Sequence, residues 1–165
     1  YYDPHHTAMD AWASDRLRRH GRCLIIDCHS FPRTPLPCDL DQTASRPDIC
    51  IRTSAVHTTD TVARVACSAF EARGYTVEIN RPYQGTIVPP RCLGKDPFVQ
   101  SIMIEVGRWL YVDEATGKRL STFETCQESV ETAMKAIAEA SRDDAVLQEE
   151  LEAASLEFLV ADVNE

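Results

Sequence analysis

The chain has 165 residues, 44% of them apolar, which is enough to build the core of one folded domain and excludes a wholly disordered chain. Its 26 acidic residues outnumber the 17 basic ones and give a formal charge of −9, so we expect no nucleic-acid partner. No segment approaches the roughly 20 consecutive apolar residues that span a bilayer, and no signal peptide is visible, so we expect no membrane partner.

The seven cysteines indicate a reducing compartment. They are odd in number and lack the closely spaced pairs of a structural zinc site. Several lie in apolar runs, where a thiol behaves as a small hydrophobic group. We therefore expect free thiols in a cytoplasmic protein rather than a disulfide framework. The cysteines occupy positions 23, 28, 38, 50, 67, 92 and 126.

The first part of the chain predicts a helix followed by a buried strand. Asp3 followed by proline is a typical helix start, and Gly21 would end that helix. The apolar, β-branched run at 22–29 predicts a strand buried on both faces, and the stretch 31–46, rich in Pro, Asp, Thr and Ser, predicts a loop. The helix presents one apolar stripe, made of Met9, Trp12, Ala13 and Leu17.

The rest of the chain alternates strands with helices, which predicts an α/β fold: a three-layer α/β/α arrangement around a mixed, largely parallel sheet. We expect a single domain whose body covers 1–142, with 143–165 as an acidic C-terminal helix of the same domain. In chain order the further predicted elements are a strand at 48–52, a helix around 62–70 ended by Gly74, strands at 75–79 and 101–106 separated by a long loop at 80–97, and two acidic helices around 130–137 and 144–159.

The first candidate for chemistry is His29, in the segment Asp27-Cys28-His29-Ser30 at the end of a predicted strand. Ligands in α/β sheets bind outside the carboxyl ends of strands, where a neutral imidazole can hold a metal and Asp27 can orient it. The alternative is a histidine that only finishes the strand, and for a lone histidine that outcome is the commoner one. His20 and His57 show no partner pattern.

The second candidate is Glu105, inside the apolar run Ile102 to Gly107. A carboxylate within an apolar strand is costly unless it is paired or hydrogen-bonded, so it is retained for a reason. One reason is general-base catalysis, and the other is a salt bridge to Arg108 or to another arginine at the strand end. The residues alone leave these two alternatives open.

The third candidate is the loop segment Asn80-Arg81-Pro82-Tyr83-Gln84-Gly85, which follows a predicted strand. Arginine suits bidentate recognition of a carboxylate, and Tyr83 adds a hydroxyl group. The alternative is an ordinary exposed turn.

In this order the three segments resemble the N-formylglutamate amidohydrolase family. The resemblance rests on Asp-x-His-Ser at 27–30, Asn-x-Pro-Tyr-x-Gly at 80–85 and Gln-x-x-x-x-Glu at 100–105 followed by Tyr-x-Asp-Glu at 111–114. The opening Tyr-Asp-Pro-His-His at 2–6 also resembles the helix that precedes the histidine strand in that family. The resemblance to the family covers about residues 1–140. It implies that this chain is the C-terminal portion of an enzyme similar in architecture to zinc carboxypeptidases and aspartoacylases.

The resemblance implies a role for each candidate. His29 would be a ligand of a Zn²⁺ cofactor, Glu105 the catalytic carboxylate, and an N-acyl amino acid the substrate, while the earlier zinc ligands of the family are expected to be missing from this chain. A homo-oligomer is left open. The implied substrate-binding residues are Asn80, Arg81, Tyr83, Gly85 and Ser30.

Two further hypotheses compete with the metal-dependent hydrolase. One is a catalytically inactive domain that keeps the fold and binds a partner, with the acidic segment 122–165 as its contact surface. The other is a cysteine hydrolase that uses Cys28, but neighbouring residues of a strand point to opposite faces, so Cys28 and His29 would be poorly oriented as a pair.

Overall fold

The computed structural model describes the backbone of residues 2–162 and the side chains of residues 2–144. Up to β4, the strands and helices follow one another in the predicted order. In chain order the elements are α1 (Tyr2–His20), β1 (Cys23–Phe31), β2 (Ile49–Arg52), α2 (Asp60–Glu71), β3 (Val77–Ile79), β4 (Val99–Gly107), a 3-10 turn (Arg108–Leu110) and α3 (Phe123–Asp162).

The four strands form one mixed sheet in the order β1-β4-β2-β3. β1 is parallel to β4, β2 is parallel to β3, and β2 is antiparallel to β4. The chain therefore leaves β3 at the level of the middle of β4, where the amide of Asn80 donates to the carbonyl of Ile51, which pairs with Ile104. The predicted α/β fold with a mixed, largely parallel sheet is confirmed.

Alternating side chains divide the sheet into two faces, each covered by helix. One face packs against α2 and α3 through a large apolar core, and the other packs against α1 and the loop that precedes β4. The larger core includes Ile49, Ile51, Val62, Phe70, Ile102, Ile104 and Ile137, and the smaller one contains Ala13, Cys23, Val88, Cys92 and Val99. The three-layer arrangement follows from these two cores.

Burial differs sharply between the two long strands. β4 is buried at all nine positions, because strands flank it on both sides and helices cover both faces. β1 is an outer strand that pairs only with β4 in the described part of the chain, and Cys28 and His29 are exposed. The prediction that 22–29 is buried on both faces holds only for its first half, where Cys23 and Ile25 pack against one core and Leu24 and Ile26 against the other. The later positions are exposed because β1 lies at the edge of the described sheet.

The C-terminal segment forms one helix where two were predicted. α3 runs unbroken from Phe123 to Asp162, and it contains neither glycine nor proline to end it. The predicted second start at Asp144 is wrong because its carboxylate accepts a hydrogen bond from the Thr59 hydroxyl, at 2.5 Å, instead of capping a helix. The predicted apolar residues Val146, Leu147, Leu151 and Ala154 lie outside the described side chains. Within residues 2–162, no helix has the length and apolarity to cross a bilayer.

Other boundaries moved by one or two residues. α1 begins before the predicted N-cap at Asp3, and Gly21 ends it in a left-handed conformation (φ 70°) as predicted. The stretch 80–98 contains neither helix nor strand, in agreement with the predicted long loop.

His57 fastens that long loop to β4. Its ring is 1% exposed, Nδ1 lies 2.8 Å from the carbonyl oxygen of Val99, and Nε2 lies 2.8 Å from the amide nitrogen of Gly94. The carbonyl requires a proton on Nδ1 and the amide requires a lone pair on Nε2, so both ring nitrogens are committed to structural bonds. His57 is therefore a framework residue.

We expect His57→Phe to lower the free energy of unfolding by about 1–3 kcal/mol, because it leaves the buried Val99 carbonyl and the Gly94 amide without their partner. Urea denaturation followed by circular dichroism measures the change. His20→Phe, on the exposed end of α1, is the matched control and should change stability by no more than about 0.5 kcal/mol. Equal effects of the two substitutions would contradict the assigned role.

Candidate active site

His29 and Glu105 stand side by side on one face of the sheet. They are paired in the register of β1 and β4, and Cys50 of β2 is the partner of Glu105 on the other side. Paired residues in a sheet project to the same face, so these three side chains form one row across three strands. The row faces the side covered by α1 and the loops, because odd-numbered β4 residues such as Val99 belong to that core.

The imidazole of His29 is half exposed, with 52% of its side-chain surface accessible. Its Nε2 lies 3.1 Å from Oδ2 of Asp27, which projects from the same face two residues earlier in β1. Nδ1 of His29 has no hydrogen-bond partner among the described side chains. Asp27 therefore orients the ring and leaves one ring nitrogen free to contact a ligand.

Glu105 is 4% exposed and its carboxylate is paired with Arg52. Nη1 of Arg52 donates to Oε1 at 2.7 Å, whereas Oε2 has no hydrogen-bond partner in the part of the chain that is described. Arg52 also donates from Nε to the carbonyl of Gly85 at 2.8 Å and from Nη2 to the carbonyl of Gln84 at 2.7 Å. One guanidinium thus ties β2, β4 and the loop after β3 together.

The salt-bridge alternative for Glu105 is correct in kind, but its partner was missed. Arg108, the arginine nearest in sequence, instead donates to the hydroxyl of Ser30 at 3.1 Å and to the Ser30 carbonyl at 3.2 Å. Arg52 ends the apolar strand β2, and a cation at the end of a buried strand is a signal that could have been matched to the buried carboxylate. The proton-acceptor role and the ion pair are compatible because they use different carboxylate oxygens.

The predicted loop residues Asn80 and Arg81 are engaged by the protein itself. Asn80 adopts a left-handed backbone (φ 56°) and exchanges two hydrogen bonds with Thr53, at 2.9 and 2.8 Å. Arg81 donates to Asp41 at 3.2 Å, to the Ser45 carbonyl at 2.6 Å and to Glu78. These contacts build the loop rather than leave groups free for a substrate.

Tyr83 belongs to a second polar cluster that sequence reasoning missed. Its hydroxyl donates to Oδ2 of Asp39 at 3.0 Å and accepts from Arg46 at 3.2 Å. Arg46 and Asp39 form an ion pair of 2.7 Å whose side chains are only 2% and 8% exposed. The ring of Tyr83 contacts Phe31 edge-to-face at 6.0 Å, so the cluster lies beside the end of β1.

Burial and hydrogen bonding within the cluster shift the pKa values of Asp39 and Tyr83. The backbone amide of Leu36, with Arg46 and Tyr83, holds the pKa of Asp39 below its usual range. Desolvation raises the pKa of Tyr83 above its usual value. Tyr83 therefore stays a neutral hydroxyl that connects the loops after β1 and β3.

Cys28 does not form a catalytic pair with His29. It projects to the opposite face of the sheet, where it pairs with Ile104 of β4. Desolvation and the nearby Asp27 carboxylate both raise the pKa of the Cys28 thiol, which disfavours the thiolate that a nucleophile needs. The sequence-based objection to a Cys28–His29 pair is confirmed.

We expect Arg52→Met to lower the free energy of unfolding by about 3 kcal/mol, because it leaves the Glu105 carboxylate buried without a cation. Adding Glu105→Gln removes that charge and should restore part of the loss, which a double-mutant cycle measured by urea denaturation will resolve. Arg64→Met, at an exposed position of α2, is the control. Additive effects of the two site substitutions would show that the ion pair contributes nothing.

The Asp39–Arg46 pair should make stability depend on acid. Because the folded pKa of Asp39 is lowered, its ionised form stabilises the fold above the ordinary carboxyl range, and this contribution disappears as pH falls through the folded pKa. We expect Asp39→Asn to cost about 3 kcal/mol at neutral pH and much less at the acid limit of the folded state. Urea denaturation across that range, with exposed Asp143→Asn as the control, tests this; a cost independent of pH would refute it.

Comparisons with known proteins agree with the predicted family. The sequence model of the N-formylglutamate amidohydrolase family matches residues 1–112. A solved structure of N-formylglutamate amidohydrolase from Ralstonia eutropha JMP134 is similar over 86% of this chain and 51% of that one, with a TM-score of 0.67 and 23% identity. A gene product of Agrobacterium tumefaciens is similar over 84% and 51%, with a TM-score of 0.54 and 17% identity.

These two likenesses concern the fold, and the chain spans about half the length of each of those structures. Among curated proteins none matches the chain. The family match covers more than half of the sequence and includes both His29 and Glu105. The chain therefore belongs to the N-formylglutamate amidohydrolase family.

Proposed function

We propose that this chain forms part of a zinc-dependent hydrolase that cleaves the amide bond of an N-acyl amino acid of the N-formylglutamate type. The observation that carries the proposal is the row on the sheet face, where solvent-accessible His29 and buried Glu105 are register partners. Membership of the N-formylglutamate amidohydrolase family supports the same reaction type. We further propose that the chain corresponds to the C-terminal portion of a carboxypeptidase-like enzyme.

The chemistry of His29 fits a zinc ligand. Its Nε2 is paired with a carboxylate and its other nitrogen is free among the described residues, which is the usual arrangement of a zinc-binding histidine. Zinc, when bound, supplies Lewis acidity that polarises a carbonyl and makes water more acidic. Catalytic zinc normally has three protein ligands, and residues 2–144 contain no group of three His, Cys, Asp or Glu side chains that could hold it. At least one further ligand would therefore come from outside these residues.

Glu105 would act as the proton carrier of the hydrolysis. Arg52 fixes Oε1, which leaves Oε2 to accept a proton from the attacking water. As the C–N bond breaks, the same oxygen returns the proton to the nitrogen of the departing amino acid. The anchored carboxylate thus serves first as a base and then as an acid.

The predicted substrate-binding residues would contribute indirectly. The side chains of Asn80, Arg81 and Tyr83 form hydrogen bonds with neighbouring protein groups. The carbonyl of Gly85 accepts a hydrogen bond from Arg52. Direct substrate contact by these residues, and by Ser30 on the opposite face, stays a prediction. Their contacts favour a role in holding Arg52 and Glu105 in place.

We expect Glu105→Gln to lower kcat for N-formylglutamate by about 10²–10⁴-fold with zinc content unchanged, because the substitution removes the proton acceptor and leaves His29 in place. His29→Ala should lower both zinc content and activity. Formate release and metal analysis by plasma mass spectrometry, made on the complete natural gene product, measure the two effects. Glu139→Gln, at an exposed position of α3, is the matched control and should behave as the wild type.

The same measurements separate the competing hypotheses. Absence of zinc and of hydrolysis in the zinc-supplemented wild-type protein would refute the metal-dependent hydrolase and favour an inactive binding domain. Activity that survives a chelator but is lost on alkylation would favour a thiol nucleophile instead.

A further inference from the structure

Five arginines lie around the site, and four of them direct their guanidinium groups to the protein itself. A substrate carboxylate needs a cation with free N–H groups, so these four are poor candidates for that contact. The engaged arginines are Arg46 with Asp39, Arg52 with Glu105, Arg81 with Asp41 and Glu78, and Arg108 with Ser30.

Arg33 is the exception. Its side chain is exposed, and its guanidinium makes no hydrogen bond or ion pair with the described residues. The guanidinium carbon lies 4.8 Å from the centre of the Trp109 ring. The backbone amide of Arg33 is held by the Glu114 carboxylate, at 3.2 Å from each oxygen, so the residue is fixed at the backbone while its charge faces solvent.

The Trp109 ring places the Arg33 charge on the sheet face that carries His29 and Glu105. The ring packs against Gly107, with ring atoms 2.6 Å from the point where a Cβ would stand, and meets Phe31 edge-to-face at 5.3 Å. Phe31 and Gly107 are register partners two residues beyond His29 and Glu105, so they project to the same face. At about 3.3 Å per residue, the ring begins roughly 7 Å beyond the row.

The ring is also held from its other end. Its Nε1 donates to Oδ1 of Asp48 at 3.4 Å, and the other oxygen of Asp48 accepts bonds from the amide and hydroxyl of Thr76, at 2.9 and 2.8 Å. A guanidinium stacked on a fixed ring keeps the N–H groups at its edge available while losing little freedom on binding.

We propose that Arg33, supported by Trp109, binds the side-chain carboxylate of the substrate and makes the site selective for acidic N-acyl amino acids. This inference depends on the proposed function for the position of the scissile amide. In such a substrate one carbon atom separates the amide nitrogen from the α-carboxyl carbon. In a glutamate derivative, three carbon atoms separate that nitrogen from the side-chain carboxyl carbon. The Trp109 ring that supports Arg33 begins roughly 7 Å beyond His29 and Glu105, and this offset favours the more distant carboxylate.

The test compares N-formylglutamate with its neutral isostere N-formylglutamine, by calorimetric binding to the complete natural protein carrying Glu105→Gln to suppress hydrolysis. We expect the acid to bind at least about tenfold more tightly than the amide, and Arg33→Met to abolish that preference. Arg33→Lys should restore it only in part, because an ammonium lacks the two-pronged geometry. Arg142→Met, an exposed arginine on α3, is the matched control and should keep the preference.

Preference for the acid that survives Arg33→Met, or absence of any preference before that substitution, would overturn the inference. Hydrolysis of N-formylglutamate with a preference independent of Arg33 would refute this inference and leave the proposed function standing. A third outcome is Arg33-dependent binding of the acid together with no hydrolysis by the protein that keeps the natural Glu105. It would refute the proposed function and support the carboxylate site.

Discussion

The ion pair between Arg52 and Glu105 is the constraint on which the site depends. Glu105 lies in the middle of the sheet, in a strand buried at every position, and a carboxylate there is tolerated only with a partner. Arg52 supplies the charge and, through its remaining N–H groups, holds the carbonyls of Gln84 and Gly85. The course of the loop over the sheet is therefore set by the same group that keeps the carboxylate in its place.

A division of labour among the polar groups follows from this constraint. The buried groups, such as Asp39, Arg46 and His57, make most of their hydrogen bonds to one another or to the backbone, although Nε of Arg46 has no partner among the described residues. On the same face, one nitrogen of His29, one oxygen of Glu105 and the guanidinium of Arg33 have no hydrogen-bond partner among the described residues. The proposed chemistry uses the second set, because these groups can form new bonds without breaking a structural one.

The fold class was predictable from the sequence because hydrophobic periodicity and glycine positions are local signals. The candidates His29 and Glu105 were found in the same way, and the structure made them neighbours. Partners distant in the chain were not predictable: Glu105 pairs with Arg52 rather than Arg108, because the antiparallel course of β2 brings position 52 to β4.

The edge position of β1 and the contacts of Arg81 escaped prediction for the same physical reason. Exposure of a strand depends on its neighbours in space, and a hydrogen-bonding side chain looks alike in sequence whether its partner is a substrate or another loop. Local pattern therefore identifies the reactive residue types, whereas tertiary contacts decide which of them remain available.

The position of the Trp109 ring depends on the small size of Gly107. The residue has an ordinary extended backbone (φ −61°), so what restricts it is space rather than conformation. A methyl group there would stand 2.6 Å from the Trp109 ring, so the ring, and the guanidinium resting on it, would have to move. The size of the residue at position 107 therefore sets where the Arg33 charge stands relative to the sheet. A substitution there would shift that charge without changing His29, Glu105 or Arg33 themselves.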